Sequence, residues 1–277
     1  MSGDFLTQMA QSSGARVHAA KQALSQAALA ERARETAAPP PLRLDASGFD
    51  LVAELKLRSP AAGPLAAGGA RLAERVSAYA RGGAAAVSVL TEPERFEGSL
   101  AHLTAAAAAL APQHVPAMRK DFLVDPYQIL EARVGGAGGV LVILRMLARE
   151  QIDALIDCAA AHGLFVLLEA FDAQDLDLMH GIIAAHGPRC TLLAGLNCRD
   201  LTTLQVVPQR LEQLAALLPG TVPRVAESGV ASAADAHRVA AAGYQLALVG
   251  SALMQGTDPE ALARSLLGAG RAALAAA

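Results

Sequence analysis

The sequence predicts an α/β protein with a (β/α)8 TIM barrel and an N-terminal helical extension. From about residue 51, short apolar runs alternate with helix-like segments, and the alternation repeats eight times within about 220 residues, the size of such a barrel. The runs are apolar throughout, as expected for strands buried on both faces. Several of them end in a polar, chemically useful group. A doubly wound sheet is the competing architecture.

The predicted strands are apolar runs four to eight residues long, and each is followed by a segment with helical character. The strands cover 51–56, 85–90, 116–120, 139–144, 164–169, 191–197, 222–227 and 245–250. The helices cover 71–81, 99–110, 126–135, 149–161, 173–185, 208–218, 232–241 and 259–268.

Local signals support several helix ends. Asp125-Pro126 and Asp258-Pro259 each place a capping Asp before a proline that already has a helical φ angle. Asp172, followed three residues later by Asp175, is a weak relative of the capping box. Glycines stand where helices are expected to stop. They are Gly135, Gly163, Gly187 and Gly243.

Residues 1–50 have a different character. Val17–Glu35 predicts one helix, and Pro39-Pro40-Pro41 makes the following segment a connector, since proline cannot continue a helix. We therefore expect residues 1–50 to be a helical extension packed on the barrel. Residues 51–277 would be the catalytic barrel domain.

Composition limits the partners and the compartment. The formal net charge of −3 gives no reason to expect nucleic acid or an anionic membrane as a partner. No run approaches the roughly 20 apolar residues that span a bilayer. The three cysteines form no CxxC pair, so reduced thiols in a cytoplasmic protein are expected. The seven histidines lack metal-ligand spacing, so no metal is expected.

Polar side chains at the strand ends predict an active site at one mouth of the barrel. The carboxyl ends of barrel strands carry the catalytic groups in this fold. Lysines and carboxylates gathered in one pocket shift each other's pKa and suit general acid–base chemistry. The groups are Glu54 and Lys56 on strand one, Lys120 on strand three, Glu169 on strand five, Asn197 on strand six, and Glu227 and Ser228 on strand seven.

Small residues at the ends of the last two strands predict a phosphate site. Ser228-Gly229 follows strand seven and Gly250-Ser251 follows strand eight. Barrels commonly bind phosphate at this place through backbone N–H groups. Glycine matters there because a Cβ atom would hold the backbone away from the anion.

These segments resemble the indole-3-glycerol phosphate synthase family, in order from about residue 50 to 265. The segment from Arg119 to Gln128 (RKDFLVDPYQ) is the most specific piece. The other matching segments are Glu54–Pro60, Ser88–Glu92, Phe96–Ser99, Gly195–Leu201, Glu227–Gly229 and Leu248–Met254.

The resemblance implies a cofactor-free ring closure of 1-(2-carboxyphenylamino)-1-deoxyribulose 5-phosphate, with loss of carbon dioxide and water, in tryptophan biosynthesis. Lys120 would be the general acid that protonates the ketone oxygen. Lys56 would hold the substrate carboxylate or phosphate and serve as acid in the dehydration. Glu169 would be the general base, with Glu54 orienting groups or relaying protons.

The same resemblance implies the residues that hold the substrate. Asn197, Arg199, Glu227 and Ser228 would position it. Gly229, Gly250 and Ser251, with Ser59 nearby, would bind the phosphate or adjoining groups. Phe96 and Phe122 are expected to line an aromatic pocket, although ordinary packing would also explain them.

Two other functions stay open at this level. A related phosphosugar isomerase would need a thiol or carboxylate base on strand one and an Asp on strand six, whereas this chain has Asn197 there and Lys120 on strand three. A non-catalytic or specialised paralogue would bind a phosphorylated metabolite without this turnover. In each case we expect a monomer that binds a phosphorylated small molecule, with weak interactions with other pathway enzymes.

Overall fold

Eight parallel strands form a closed barrel in the computed structural model, which describes residues 5–46, 48–59, 63–64, 70–200, 203 and 205–275. Each strand pairs with the next along the chain, and the last closes onto the first. This closure confirms the barrel prediction and excludes a doubly wound sheet. The strands are β1 Asp50–Leu55, β2 Ala86–Leu90, β3 Ala117–Lys120, β4 Ala137–Ile143, β5 Phe165–Ala170, β6 Leu192–Asn197, β7 Arg224–Glu227 and β8 Leu246–Val249.

Both faces of these strands are buried, which explains their continuous apolar character. Val52, Met118 and Leu167 belong to a cluster inside the barrel. Val87 and Val140 belong to the larger cluster that includes residues of the surrounding helices. Side chains alternate between the two clusters along each strand, because successive Cβ atoms of a strand point to opposite faces.

The helices surround the barrel, and two more precede it. Among the described residues, no helix is both long and apolar enough to cross a membrane. Short 3-10 turns also occur at Ala111–Gln113, Leu144–Met146 and Ala215–Leu217. The helices are α1 Phe5–Ala23, α2 Gln26–Glu35, α3 Ala70–Arg81, α4 Pro93–Phe96, α5 Leu100–Leu110, α6 Pro126–Val134, α7 Arg149–Ala161, α8 Ala173–His186, α9 Gln209–Gln213, α10 Ala233–Ala241, α11 Ser251–Gln255 and α12 Pro259–Ala275.

The N-terminal segment contains two helices, so the prediction of one helix over 17–35 was wrong. The break follows Leu24, where Ser25 adopts an extended conformation and its side chain accepts a hydrogen bond from the Ala28 amide. The Tyr127 hydroxyl lies 3.1 and 3.0 Å from the carbonyl oxygens of Ala20 and Leu24. A barrel side chain therefore satisfies the Leu24 carbonyl, which a continuous helix would have used. It also adds a second hydrogen bond to the Ala20 carbonyl, which still accepts from the Leu24 amide.

The predicted helix over 208–218 is also shorter than expected. It ends at Gln213 and is followed by the turn Ala215–Leu217. Leu218 has ψ near 140° and precedes Pro219, a position at which helical geometry is disfavoured. The last helix shows the opposite error, because α12 continues past Gly268 to Ala275.

Candidate active site

One cavity of about 370 Å³ opens at the carboxyl ends of the strands. It brings together every predicted site residue except Ser59, whose side chain lies outside the described residues. The lining includes Glu54, Lys56, Phe96, Lys120, Glu169, Asn197, Arg199, Glu227, Ser228, Gly229, Gly250 and Ser251. Residues that are as far apart in the sequence as 54 and 251 thus share one pocket.

Lys120 lies between two carboxylates at the base of this cavity. Its Nζ is 3.1 Å from Glu227 Oε2 and 3.4 Å from Glu169 Oε1. Burial alone would lower the pKa of Lys120, but Glu169, Glu227 and Glu54 outweigh it and raise that pKa. Lys120 is therefore a protonated cation at neutral pH.

Glu227 differs from the other carboxylates of the site. Burial, supported by the neighbouring charge of Glu169, raises the pKa of Glu227 well above its usual range, although Lys120 opposes the shift. Its Oε1 atom is buried and has no hydrogen-bond partner among the described residues. One ammonium group cannot fully compensate two buried carboxylates, so a proton on Glu227 relieves the remaining repulsion.

Glu54 and Lys56 form a second ion pair, with Lys56 Nζ 2.8 Å from Glu54 Oε1. Both residues are buried. Burial would raise the pKa of Glu54, but Lys56 and Lys120 together lower it. Glu54 is therefore ionised and compensates charge from both lysines.

Asn197 connects Glu169 to the segment that follows β7. Its Nδ2 donates to Glu169 Oε1 at 2.8 Å. Its Oδ1 accepts from the Ser228 hydroxyl at 2.9 Å and from the Arg199 amide at 3.0 Å. These three bonds fix the orientation of the amide, because only its oxygen can accept and only its nitrogen can donate.

The segment after β7 has a left-handed backbone conformation, which is unusual for a residue other than glycine. Ser228 has φ of 66°, and Gly229 has φ of 70°. Left-handed geometry costs a non-glycine residue of order 1–3 kcal/mol and clusters at functional sites. The strain at Ser228 directs its hydroxyl to Asn197, and a Cβ atom at Gly229 would lie 3.0 Å from Cys198 Sγ.

Cys198 itself is packed rather than reactive. It is fully buried, and burial raises the pKa of its thiol. A nucleophilic cysteine needs the opposite shift, towards the thiolate. The packed-thiol interpretation of its sequence position therefore fits its surroundings.

Sequence reasoning missed Gly195, which makes room for Glu227. A Cβ atom at residue 195 would lie 2.3 Å from Glu227 Oε1, and one at Gly250 would lie 2.3 Å from Glu54 Oε1. Gly250 was predicted only as a phosphate contact. A glycine inside a buried strand often marks such a close approach, and this was the available signal.

One side of the cavity is apolar and aromatic. The rings of Phe96 and Phe5 pack against Phe122, with centroid distances of 6.3 and 5.7 Å. Leu141 and Phe171 extend this surface. Phe5 and Phe171 were not predicted, because nothing in the sequence brings the N-terminal helix to the barrel mouth or distinguishes Phe171 from core packing.

A buried ionic network lies behind Lys120. Arg16 of α1 binds Asp121 through two hydrogen bonds of 2.8 and 2.9 Å, and Arg119 contacts Asp121 at 3.1 Å and Glu131 at 3.0 Å. Burial would raise the pKa of Asp121, but Arg16 and Arg119 lower it to about 2. Arg119 thus points into the helix layer, and Asp121, which also borders the cavity, connects the segment after β3 to α1.

The fold and the pocket define a barrel enzyme of the general acid–base class, with cationic and acidic groups beside an apolar wall. A family model described as indole-3-glycerol phosphate synthase matches residues 6–266. The chain belongs to the indole-3-glycerol phosphate synthase family, which comprises carboxy-lyases of tryptophan biosynthesis that act on a phosphorylated small molecule.

Relatives agree with this assignment. Indole-3-glycerol phosphate synthase from Mycolicibacterium smegmatis is 40% identical over 241 residues, covering 86% of this chain and 85% of the relative. The enzyme of the same name from Mycobacterium tuberculosis is 40% identical over 245 residues, with the same coverage.

Two solved structures share the fold at 15% identity. Thiamine phosphate pyrophosphorylase from Pyrococcus furiosus has a TM-score of 0.56 and covers 82% of this chain and 97% of its own. The 3-hexulose-6-phosphate synthase from Salmonella typhimurium has a TM-score of 0.59 and covers 80% of this chain and 98% of its own. At this identity the likeness shows the fold alone.

Proposed function

We propose that this chain converts 1-(2-carboxyphenylamino)-1-deoxyribulose 5-phosphate to indole-3-glycerol phosphate, carbon dioxide and water. The observation that carries the proposal is the Lys120 ammonium held between Glu169 and Glu227 at the base of a half-aromatic pocket. Family membership supports the same reaction and disfavours the isomerase alternative.

Lys120 drives the first step. The ring carbon that bears the carboxylate attacks the ketone carbon, and the ketone oxygen takes the proton of Lys120. The raised pKa keeps Lys120 protonated, so its charge polarises the ketone before the proton moves. Carbon dioxide then leaves, and the electrons of its bond return to the ring.

Dehydration completes the indole. The new hydroxyl group leaves as water with a proton from Lys56, and the adjoining carbon gives its proton to Glu169. Burial raises the pKa of Glu227, so Glu227 is the carboxyl group that carries a proton, and we assign the base to Glu169. Glu54 holds Lys56 in place through their 2.8 Å ion pair.

The two sides of the cavity suit the two halves of the substrate. The apolar side around Phe96 and Phe122 would take the carboxyphenyl ring. The ribulose phosphate would lie towards Ser228-Gly229 and Gly250-Ser251, with Asn197 and Arg199 positioning the chain between them.

A product assay with the authentic substrate tests this function. The wild type should form an indole chromophore and release carbon dioxide. Lys120→Met and Glu169→Gln should each lower kcat by roughly 10²–10⁴-fold, the usual contribution of a positioned acid or base. Lys21→Met, at a surface ion pair with Asp125, is the matched control and should keep wild-type turnover.

Each outcome of that assay is informative. Full activity of both variants contradicts the assigned roles. Absence of product from folded wild type at high enzyme concentration contradicts the function, and tight substrate binding without turnover would instead favour the non-catalytic paralogue. Circular dichroism of each variant separates lost chemistry from lost folding.

The organisation of the chain is proposed on the same basis. Residues 1–50 form an extension and residues 51–277 the catalytic barrel, supported by the Arg16–Asp121 ion pair between α1 and the segment after β3. We also propose a monomer, with weak interactions with other pathway enzymes. The buried or half-buried free cysteines support a cytoplasmic location.

A further inference from the structure

Phe171 is a cavity residue to which the proposed mechanism gives no role. It follows β5 directly, two residues after Glu169, and therefore points to the same side of the chain as the proposed base. Its side chain is buried and lines the cavity on the apolar side. A substrate that reaches Glu169 must pass close to this ring.

The surroundings of Phe171 hold it in place. Its backbone amide donates to Asp175 Oδ2 at 2.8 Å. The Nε atom of Arg145 donates to the same oxygen at 2.8 Å, and its guanidinium carbon lies 4.8 Å from the centroid of the Phe171 ring. Asp172 also pairs with Arg145. A cation over one face of a ring attracts it electrostatically.

This arrangement holds the Phe171 side chain in one position at the edge of the cavity. Asp175 is buried, so the bonds that it accepts from the Phe171 amide and from Arg145 are shielded from water. Because Arg145 covers one face, the ring presents its other face or its edge to the cavity. A ring held in this way cannot move aside to admit a larger ligand without losing the contact with Arg145.

We propose that Phe171 determines specificity by limiting the substituents that the aromatic ring of the substrate can carry, and that Arg145 positions it. This inference rests on the proposed function, because the carboxyphenyl ring is the planar apolar part of that substrate. One additional methylene or methyl group in a hydrophobic pocket typically changes kcat/KM by about 10- to 200-fold. Phe171 is therefore placed to discriminate between ring-substituted substrates.

The test compares the parent substrate with analogues that carry one methyl group at each free ring position. For each, kcat/KM is measured in the wild type, Phe171→Leu and Phe171→Ala. The wild type should disfavour the methyl group at one or more positions by about tenfold or more. Phe171→Ala should reduce that preference by a similar factor, raising KM for the parent substrate while its kcat changes little.

Phe165→Leu is the matched control. Phe165 is equally buried and is the first residue of β5, the strand that Phe171 follows. Its side chain lies on the same side of the chain but outside the cavity lining. This variant should lower the melting temperature and leave the ratio of kcat/KM values unchanged. A purely structural role for Phe171 would give the same pattern.

Arg145 supplies a second, independent comparison. Arg145→Ala should shift the ratio towards that of Phe171→Ala, because the ring loses its contact on one face. Arg145→Lys keeps a cation near the ring and should retain more of the wild-type preference. If the Arg145 cluster only stabilises the fold, both variants will melt earlier with an unchanged ratio.

The possible outcomes distinguish failure of this inference from failure of the proposed function. Wild type that fails to turn over the parent substrate overturns the proposed function. If the wild type is active, but Phe171→Leu and Phe171→Ala keep its ratio of kcat/KM values for parent and methylated substrates at every ring position, the proposed role of Phe171 is overturned. The proposed function is then unaffected. If Phe171→Ala does not fold, the more conservative Phe171→Leu decides the question.

Discussion

At the scale of single residues, Glu227 occupies space that any side chain at residue 195 would fill. The Gly195 backbone lies against Glu227 Oε1, and Gly250 lies in the same way against Glu54 Oε1. Each glycine thus allows a buried carboxylate to lie beside a lysine. The absence of a Cβ atom therefore makes room for an acidic side chain of the protein, in addition to any contact with a bound phosphate.

Gly195→Ala should therefore impair the site more than the fold. The new methyl group must displace Glu227 from Lys120, and displacements near 1 Å can cost about 10²-fold in rate. We expect kcat to fall by roughly tenfold or more, measured by steady-state product formation.

Gly268→Ala is the control for that substitution. Its Cβ atom would meet nothing within 4 Å, and residue 268 lies inside α12. Turnover should be unchanged, and the free energy of unfolding should rise by up to about 1 kcal/mol, because alanine is the better helix former. Equal kcat values for Gly195→Ala and wild type would refute the role of Gly195.

At the scale of elements, α1 is part of the pocket as well as a support for the barrel. Its first residues, Phe5 and Leu6, line the cavity. Further along, Ser13 accepts a hydrogen bond of 2.8 Å from Gln128, and Arg16 binds Asp121, the residue after Lys120. The helix therefore connects the apolar wall of the site to the strand that carries the proposed acid.

Asp121→Asn should remove a pH-dependent part of this attachment. The folded pKa of about 2 lies below the ordinary value of 3.8, so Asp121 stabilises the fold above pH 4 and loses this effect as the pH falls towards 2. We expect the variant to lose about 2 kcal/mol in unfolding free energy at pH 7. Denaturant unfolding at a series of pH values measures this difference.

The loss should shrink as the pH approaches 2, because Asp121 is then protonated in wild type as well. Asp177→Asn removes an exposed carboxylate from α8 and should change stability little at any pH. A constant difference between wild type and Asp121→Asn across this range would contradict the ionic explanation.

The helices and strands also show how much of the structure can be predicted from local sequence. Apolar runs predicted all eight strands, and strand-end chemistry predicted most of the polar side chains that line the pocket, because both depend on nearby residues. The break after Leu24 depends on Tyr127, which is about a hundred residues away. α12 continues past Gly268, and Gly270 within this extension packs against Phe49 across the fold. Such contacts between distant segments leave little trace in local patterns.

At the scale of the whole molecule, the two ends of the barrel carry different kinds of charge pairs. The carboxyl end holds the buried lysines and carboxylates of the pocket. The amino end has ion pairs between Arg271 and both Asp45 and Asp50, and Glu260 bridges Arg81 and Arg264. This division, with catalysis at one end and stability at the other, is general for the fold.

Substrate should stabilise the whole molecule when turnover is blocked. In Glu169→Gln, substrate at about 100 times its Kd should add about 2.7 kcal/mol to the free energy of unfolding. For a chain of this size that corresponds to a rise in Tm of roughly 5–10 °C. Thermal melts with increasing substrate measure the shift, and inorganic phosphate should give a smaller one. A Tm unaffected by saturating substrate would contradict binding in this cavity.

The proton on Glu227 has a consequence for how substrate reaches the enzyme. With Glu227 neutral, the pocket carries one negative charge fewer beside Lys56 and Lys120, which favours the approach of the proposed phosphate- and carboxylate-bearing substrate. Loss of that proton at high pH would restore this negative charge. Capture from solution would then slow, and its rate would also become less sensitive to salt. The rate at which substrate binds from solution thus depends on pH through one buried proton on Glu227.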